Sequence, residues 1–135
     1  MEDYLEVILH LQDEKGYARV ADVAEGLSIS QASVSNMMQR LDSKGLLNYE
    51  KYRGVTLTES GEEVARRVVE RHGILEEFLG LFGIDKEIAY GDVEGMEHHI
   101  SSGTLRGIEQ VIRELKADAE MCERVKRAAA AEGGR

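Results

Sequence analysis

The order of predicted elements between residues 20 and 58 constrains the fold of this chain most. Apolar residues with helical spacing occur in 20–26, and a break at Ser28-Ile29-Ser30 separates them from a second helical pattern that ends near Gly45. Ser30 is a favourable N-cap residue for this second helix. A short helix, a tight turn and a longer helix are typical of a helix-turn-helix.

Two β-prone runs follow the second helix. Residues 46–50 and 55–58 are separated by Lys51-Tyr52-Arg53-Gly54, which predicts a two-stranded hairpin with a basic, aromatic tip. A helix-turn-helix followed by such a hairpin is a winged helix. We therefore predict a mainly α protein, with an N-terminal winged helix-turn-helix domain in residues 1–70 and a C-terminal helical domain in residues 71–135.

Helical periodicity accounts for most of the remaining chain. It predicts helices over 3–14, 60–81, 85–90, 92–100 and 104–116, and from 118 to about 130. Ser60 and Glu63 have the spacing of a capping box for the long helix. We expect the last helix to bury Met121 and Val125. The C-terminal helices carry more apolar surface than a small monomer covers, which favours a homodimer.

The second helix of a helix-turn-helix enters the major groove of DNA with its N-terminal residues near the base edges, and the wing contacts phosphate or the minor groove. Glutamine and asparagine can pair with adenine, and arginine with guanine. We predict that a double-stranded DNA operator is contacted by Ser30, Gln31, Ser33, Ser35, Asn36, Gln39, Arg40, Lys51, Tyr52 and Arg53. The alternative is an exposed polar helix beside a surface hairpin.

The charge distribution bears on this prediction. The net charge is −9, from 26 acidic and 17 basic residues, which as a total argues against nucleic-acid binding. Residues 28–54 are locally +2, however, because four basic residues (Arg40, Lys44, Lys51, Arg53) oppose two acidic ones (Asp42, Glu50). So few positive charges bind phosphate weakly in a monomer, and a dimer on a palindromic operator would double the contacts.

Acidic and histidine side chains crowd together in the C-terminal half. The spacings of Glu94, Glu97 and His98 put them on one face of a helix turn. Two carboxylates and an imidazole so close together repel and desolvate one another unless a cation joins them, and a divalent metal is the natural candidate. A solvated acidic helix face is the alternative interpretation.

Two further features offer metal ligands. Asp3 and Glu6 form an acidic pair on the first predicted helix, and His72 lies in the apolar row of the long helix, between Val68 and Leu75. His72 therefore points inward or into a cleft, where a histidine satisfied in the core is the simpler interpretation. Oxygen and nitrogen ligands without thiolate suit Mn²⁺ or Fe²⁺. Together the carboxylates could balance two divalent ions.

Composition argues against several other classes of protein. No apolar run approaches the length of about 18 residues that a transmembrane helix needs. The first residues show neither a basic nor an apolar signal region. Cys122 is the single cysteine, which excludes an internal disulfide. We therefore expect a cytoplasmic protein with no membrane partner.

Five segments carry a resemblance to a known family: Asp3-Tyr4-Leu5-Glu6, Glu14-Lys15-Gly16-Tyr17-Ala18-Arg19-Val20, Tyr49-Glu50-Lys51-Tyr52-Arg53-Gly54, Arg71-His72 and Asp92-Val93-Glu94-Gly95-Met96-Glu97-His98-His99. On these segments the chain resembles the diphtheria toxin repressor family of metal-dependent regulators, in particular its manganese-responsive branch. The resemblance implies two Mn²⁺ ions per subunit, bound between the DNA-binding domain and the dimerisation helices by Asp3, Glu6, His72, Glu94, Glu97 and His98.

The resemblance also bears on metal choice and on the operator. The iron-responsive branch is expected to carry Met at the position of Asp3 and Cys at that of Glu97, so the carboxylates here resemble the manganese type, with Fe²⁺ as a second option. The start of the recognition helix lacks the Pro-Ser-Ser sequence of close relatives, so a different operator is expected. Residues His10 and His99 receive no role.

Three functional interpretations follow. The first is a Mn²⁺-dependent homodimeric transcriptional repressor of metal-uptake genes, in which metal binding orders the dimer for its operator. The second is a winged-helix regulator that responds to iron or to an organic ligand, with the carboxylates as surface charge. The third, a dinuclear metal hydrolase or ferritin-like oxidase, lacks a Glu-x-x-His or His-Glu-x-x-His motif. We therefore predict that the protein is not an enzyme.

Overall fold

The computed structural model describes residues 1–132, which form seven helices and one two-stranded sheet. The elements are α1 (Glu2–Lys15), α2 (Val20–Leu27), α3 (Gln31–Ser43), β1 (Leu47–Glu50), β2 (Gly54–Leu57), α4 (Glu59–Gly80), α5 (Lys86–Met96), α6 (Ser102–Ala117) and α7 (Ala119–Glu132). The predicted mainly α fold with a winged helix-turn-helix is confirmed. The chain divides into two compact units, Met1–Val69 and a second that begins at Glu70.

The first unit has one apolar core to which the helix-turn-helix and the wing both contribute. Ile8 of α1, Val23 of α2, Val34 and Met38 of α3 and Val55 of β2 are all fully buried in it. Burying a side chain of this size contributes about 1.5–3 kcal/mol. Because α3 uses one face for this core, its opposite, polar face stays exposed.

The wing is tied to the segment between α1 and α2. Strands β1 and β2 pair antiparallel in a register from Leu47↔Leu57 to Glu50↔Gly54. The Ala18 N–H donates to the Val55 carbonyl oxygen (2.9 Å) and the Val55 N–H to that of Ala18 (2.6 Å), which adds a third, one-residue edge to the hairpin. The wing is therefore braced at its base by residues that precede the helix-turn-helix.

The N-terminus of α4 differs from the predicted capping box. The helix begins at Glu59, and Thr58 Oγ1 accepts a hydrogen bond from the Gly61 N–H (3.1 Å) while donating one to the Gly45 carbonyl oxygen (2.6 Å). Thr58 is therefore the cap, and the predicted role of Ser60 is wrong. Thr58 thus pairs a backbone N–H of the first helical turn, which has no partner within the helix, and a carbonyl oxygen of the preceding turn. Ser60 lies inside the first turn and cannot make both contacts.

The second unit has a smaller core built by α4, α5 and α6. Leu75 and Leu79 of α4 and Ala89 and Val93 of α5 are buried there, and Ile108 of α6 packs against them. On the surface, Lys116 Nζ donates a hydrogen bond to Glu77 Oε1 (2.7 Å), which raises the pKa of Lys116. The side chains of α4 that face this core lie on the same row as His72.

Two details of the second unit correct the sequence predictions. The helices predicted over 85–90 and 92–100 are one helix, α5, which ends at Met96 and is followed by a turn over 97–99. Gly95 weakens the helix at that point, and the His99 N–H bonds to the Met96 carbonyl oxygen (3.0 Å) in a tighter turn. A new helix then starts after Ser101, whose Oγ accepts from the Thr104 N–H (3.2 Å).

The last helix buries less than predicted. Met121 on α7 is 39% exposed and Val125 is half-buried, so the expected burial of these two side chains is wrong within one copy of the chain. α7 packs along α6, and the rest of residues 1–132 leaves the Met121 face uncovered. Among the helices described, none is long and apolar enough to span a membrane.

Candidate metal centre and nucleic-acid interface

Glu97, which follows α5, is a buried carboxylate with only one of its two oxygens hydrogen-bonded within residues 1–132. Its side chain is 3% exposed, and Oε2 accepts a hydrogen bond from His72 Nδ1 (3.2 Å). No donor within the described residues bonds to Oε1. Burying a charged group is unfavourable by several kcal/mol unless it is paired or binds a cation. The unsatisfied oxygen therefore fits a metal ligand.

His72 is surrounded by carboxylates. Its side chain is 13% exposed, as its place in the apolar row of α4 predicted. Nδ1 lies 3.9 Å from Glu94 Oε1, and Nε2 lies 3.8 Å from Glu76 Oε2. The Tyr90 ring lies beside the imidazole, tilted by 60° at a centroid distance of 5.8 Å. The imidazole thus lies among carboxylates, an arrangement that a shared cation would stabilise.

Three side chains at the end of α5 converge closely enough to hold one ion. One ligand atom each from Glu94, Glu97 and His98 lies within 4.8 Å of the others. Ligands on opposite sides of an octahedral divalent ion are roughly 4.2 Å apart, twice the metal–oxygen bond length. A small contraction would therefore bring the three atoms to bonding distance. All of them are oxygen or nitrogen, which suits a hard divalent cation.

Arg71 holds the main chain of this turn and was not predicted from the sequence. Its Nη1 donates a hydrogen bond to the Glu97 carbonyl oxygen (3.2 Å). The guanidinium thus braces the backbone of the turn without pairing to the Glu97 carboxylate. The adjacent position of Arg71 and His72 was the available signal, but the backbone contact depends on where α5 ends.

The remaining predicted ligands lie in the first unit. Asp3 and Glu6 stand one turn apart on α1, at the spacing that the sequence predicted. His10 Nε2 lies 4.0 Å from Glu6 Oε1, and the His10 side chain is 62% exposed. His99 is exposed in the turn after α5. Within the second unit, the structure brings together His72, Glu94, Glu97 and His98.

The polar face of α3 is available for base contacts. Val34, Met38 and Leu41 are buried on the opposite face. The predicted residues Ser30, Gln31, Ser33, Asn36, Gln39 and Arg40 are exposed, and Ser35 is half-buried. Ser30 Oγ accepts from the Ser33 N–H (3.2 Å) and donates to Ser33 Oγ (2.9 Å), so the Ser30 hydroxyl serves as the N-cap.

The wing tip displays its aromatic residue in a strained conformation. Tyr52 is 94% exposed and has φ = 74°, in the left-handed region that non-glycine residues seldom adopt. Lys51 Nζ lies 5.5 Å from the Tyr52 ring centroid, and Arg53 Nη1 lies 3.7 Å from Glu50 Oε2. Exposed aromatics and backbone strain of this kind concentrate at functional sites.

Comparisons with known proteins agree with both halves of this description. The family model for the iron dependent repressor N-terminal DNA binding domain matches residues 1–55, and that for the iron dependent repressor metal binding and dimerisation domain matches residues 58–125. These two matches cover the winged helix and the helices that carry the histidine–carboxylate cluster.

Two relatives and one solved structure illustrate the similarity. The chain is 46% identical over 125 residues to the HTH-type transcriptional regulator MntR of Lysinibacillus sphaericus, covering 93% of this chain and 90% of the relative. Identity to MntR of Bacillus subtilis is 48% over 118 residues, covering 87% and 83%. A manganese-dependent transcriptional repressor in complex with manganese matches at 29% identity with a TM-score of 0.74, covering 82% of this chain.

The chain spans 51% of the length of that solved repressor. It spans most of the length of the two MntR relatives. The resemblance inferred from the sequence motifs is thereby confirmed, and the enzyme interpretation is excluded because the relatives are transcriptional regulators. A winged helix is joined in one chain to a helical unit whose buried carboxylate and imidazoles suit a divalent metal. The chain therefore belongs to the iron-dependent repressor family, with an N-terminal DNA-binding domain and a C-terminal domain for metal binding and dimerisation.

Proposed function

We propose that this protein is a manganese-responsive, homodimeric transcriptional repressor that binds operator DNA in its metal-bound form. The observation that carries the proposal is Glu97, a buried carboxylate with one oxygen free of hydrogen bonds, beside two imidazoles. The identity to regulators named MntR and the match to a manganese-dependent repressor support manganese as the metal.

The proposed ligands come from both units. His72, Glu94, Glu97 and His98 supply the part of the site that belongs to the second unit, and Asp3 and Glu6 on α1 supply the rest. The four carboxylates carry as much negative charge as two divalent cations neutralise, so we propose two Mn²⁺ per subunit. Because every ligand atom is oxygen or nitrogen, Fe²⁺ can bind the same set and is the second candidate.

The same groups explain why metal would act as a switch. Without a cation, the carboxylates of Glu94 and Glu97 repel one another, and burial of Glu97 is unfavourable. A bound cation supplies the positive charge that stabilises the arrangement in which all the ligands converge. Because this conformation binds the metal more tightly than other conformations do, metal binding shifts the equilibrium toward it. We propose that it spaces the two recognition helices of the dimer for successive major grooves.

The DNA-facing role falls to α3 and the wing. Gln31, Asn36, Gln39 and Arg40 offer the side-chain types that read base edges, and Ser33 and Ser35 can add hydroxyl contacts. The wing residues Lys51, Tyr52 and Arg53 are placed to contact phosphate or the minor groove. We propose metal-uptake genes as targets and the cytoplasm, where operator DNA lies, as the location.

Metal titration with a matched control tests this proposal. Mn²⁺ binding would be counted by electron paramagnetic resonance of free Mn²⁺ for the wild type, Glu97→Gln and Glu87→Gln. Glu87 lies on the same helix but is exposed. We expect two tight ions per subunit in the wild type and in Glu87→Gln, and at least a tenfold loss of affinity in Glu97→Gln. Equal affinity in all three proteins would refute the ligand assignment.

Operator binding separates the metal switch from other regulators. A duplex selected from a random pool by the Mn²⁺-loaded wild type would be titrated with metal-loaded and metal-free protein. We expect binding to tighten five- to 150-fold with Mn²⁺, the usual range of coupling between two sites, which is about 1–3 kcal/mol. A regulator of the organic-ligand type would bind the duplex equally with and without metal, and that result would overturn the proposed function.

A further inference from the structure

A cleft of about 360 Å³ opens between the start of the recognition helix and the wing in the first unit. Gln31 and Ser35 line it from α3, and Lys51 and Tyr52 line it from the wing. Arg19 lines it as well, although it belongs to neither of these elements. The charge of Arg19 is thus placed beside predicted DNA contacts, although Arg19 itself was not among them.

The position of Arg19 is set by the base of the wing. The preceding residue, Ala18, exchanges two backbone hydrogen bonds with Val55. Gly54, with φ = 110°, allows this close approach, since a Cβ there would lie 3.0 Å from the Ala18 carbonyl oxygen and 3.1 Å from Tyr17 Cδ2. Arg19 therefore follows directly after a segment whose backbone is bonded to the wing.

The charges along the cleft favour an anion. The Arg19 guanidinium lies 5.4 Å from the Tyr17 ring centroid, and Lys51 Nζ has a similar place over Tyr52. No carboxylate in residues 1–132 forms an ion pair with either cation. Glu50 also lines the cleft, but it pairs with Arg53 at 3.7 Å, which offsets its charge. Two cations held over aromatic rings thus face the cleft without an acidic partner.

The geometry of DNA says what anion would occupy such a cleft. A helix in the major groove and a wing at the neighbouring minor groove stand on opposite sides of one sugar–phosphate strand, because that strand separates the two grooves. The strand must pass between the helix and the wing. We infer that the cleft holds the sugar–phosphate backbone of the operator, and that Arg19 and Lys51 clamp a phosphate within it.

This inference rests on the proposed DNA-binding function and adds Arg19 to the residues that perform it. A phosphate contact carries no sequence information, so its effect should be the same on any duplex. It should also depend on salt, because each neutralised phosphate releases a counterion and contributes about 0.9 to the slope of log affinity against log salt. The salt slope therefore distinguishes a phosphate contact from a structural role of Arg19.

The test is fluorescence anisotropy of a labelled random-sequence duplex over a salt series at saturating Mn²⁺. The proteins are the wild type, Arg19→Gln, Arg19→Lys and Arg67→Gln. Arg67 lies on α4 in an ion pair with Glu63, outside the cleft, and its substitution changes the net charge equally. We expect Arg19→Gln to lower the slope by about 0.9 per subunit. Arg19→Lys and Arg67→Gln should keep the wild-type slope.

A wild-type slope in Arg19→Gln, or the same loss in Arg67→Gln, would overturn the phosphate clamp. If Arg19→Gln does not fold, Lys51→Gln at the exposed wing tip takes its place, and an unchanged slope in that variant would overturn the clamp as well. A wild type that binds no duplex in the presence of Mn²⁺ has a different meaning. It would refute the proposed DNA-binding function itself, and the inference with it.

Discussion

The Nδ1 atom of His72 lies 3.2 Å from Oε2 of Glu97, with both side chains largely buried. This contact satisfies one carboxylate oxygen and leaves the other, Oε1, without a donor in the described part of the chain. The two residues come from different helical segments, since His72 lies on α4 and Glu97 follows α5. The pair therefore links these segments and leaves Glu97 Oε1 available as a metal ligand.

Replacing Glu97 by glutamine should make the metal-free protein more stable while it weakens metal binding. The substitution keeps the shape of the side chain and removes a buried charge that is not fully paired. We expect the free energy of unfolding of the metal-free protein to rise by about 1 kcal/mol, and the stabilisation by added Mn²⁺ to fall by at least about 1.4 kcal/mol, the equivalent of a tenfold loss of affinity. Urea unfolding with and without Mn²⁺ measures both quantities, with Glu87→Gln as the control. A metal-free Glu97→Gln protein less stable than the control would contradict the unfavourable burial of this charge.

Removing the Arg71 side chain should weaken Mn²⁺ binding without unfolding the protein. Arg71 donates to the Glu97 carbonyl oxygen and so holds the turn that carries Glu97 and His98. Groups that orient a metal ligand are worth about 10–100-fold in metal affinity. Arg71→Leu should lie at the low end of that range, because one hydrogen bond is lost, and Arg71→Lys should recover part of it.

The control for Arg71 is Arg106→Leu on the exposed surface of α6, and calorimetric titration with Mn²⁺ supplies the affinities. Unchanged affinity in Arg71→Leu would show that the turn keeps its shape without this contact.

An alanine at Gly61 should destabilise the first unit strongly. A Cβ at this position would lie 1.7 Å from the Leu46 carbonyl oxygen, where α4 begins against the start of the wing. The main chain must move, at a cost of about 3 kcal/mol. Gly73→Ala is the matched control on the same helix, since no heavy atom lies within 4 Å of its Cβ position. This control substitution should raise the free energy of unfolding by about 0.5–1 kcal/mol. Urea unfolding of both variants measures the difference, and equal stabilities would contradict the close approach.

A glycine at Tyr52 should separate stability from DNA affinity. Tyr52 has φ = 74°, which is unfavourable for a residue with a Cβ by about 1–2 kcal/mol. Tyr52→Gly relieves this strain, but glycine also adds conformational entropy to the unfolded chain, which offsets part of the gain. The free energy of unfolding should therefore rise by about 0.5–1 kcal/mol. DNA affinity should fall several-fold, because the exposed ring is lost. A variant that keeps full affinity for a selected duplex would show that Tyr52 makes no contact with DNA.

The sequence predicted those features that depend on local periodicity. The helix-turn-helix follows from the spacing of Val34, Met38 and Leu41, and the buried position of His72 follows from its place between Val68 and Leu75. The sequence did not predict that α5 ends at Met96. The spacing of Glu94, Glu97 and His98 is compatible with a continuous helix and also with a helix that ends in a turn. Gly95, next to the last residue of α5, was the local signal for that boundary.

Contacts between distant segments could not be predicted in the same way. The pairing of Ala18 with Val55, the cap from Thr58 and the bond from Arg71 to the Glu97 carbonyl oxygen each join segments whose meeting depends on the whole fold. Arg19 was missed for this reason, since it lies outside both the recognition helix and the hairpin. The burial of Met121 was overestimated because an apolar helix row does not say whether the same chain or a second copy covers it.

The most direct test of the metal switch is the affinity for a selected operator duplex, measured by anisotropy with and without Mn²⁺, for the wild type and Glu94→Ala. Glu94 Oε1 lies 3.9 Å from His72 Nδ1 and its side chain is partly exposed, so we expect its removal to affect folding little. We expect Mn²⁺ to tighten binding by the wild type five- to 150-fold and to leave the affinity of Glu94→Ala close to its metal-free value. Equal affinity in all four measurements would contradict the control of DNA binding by metal at this cluster.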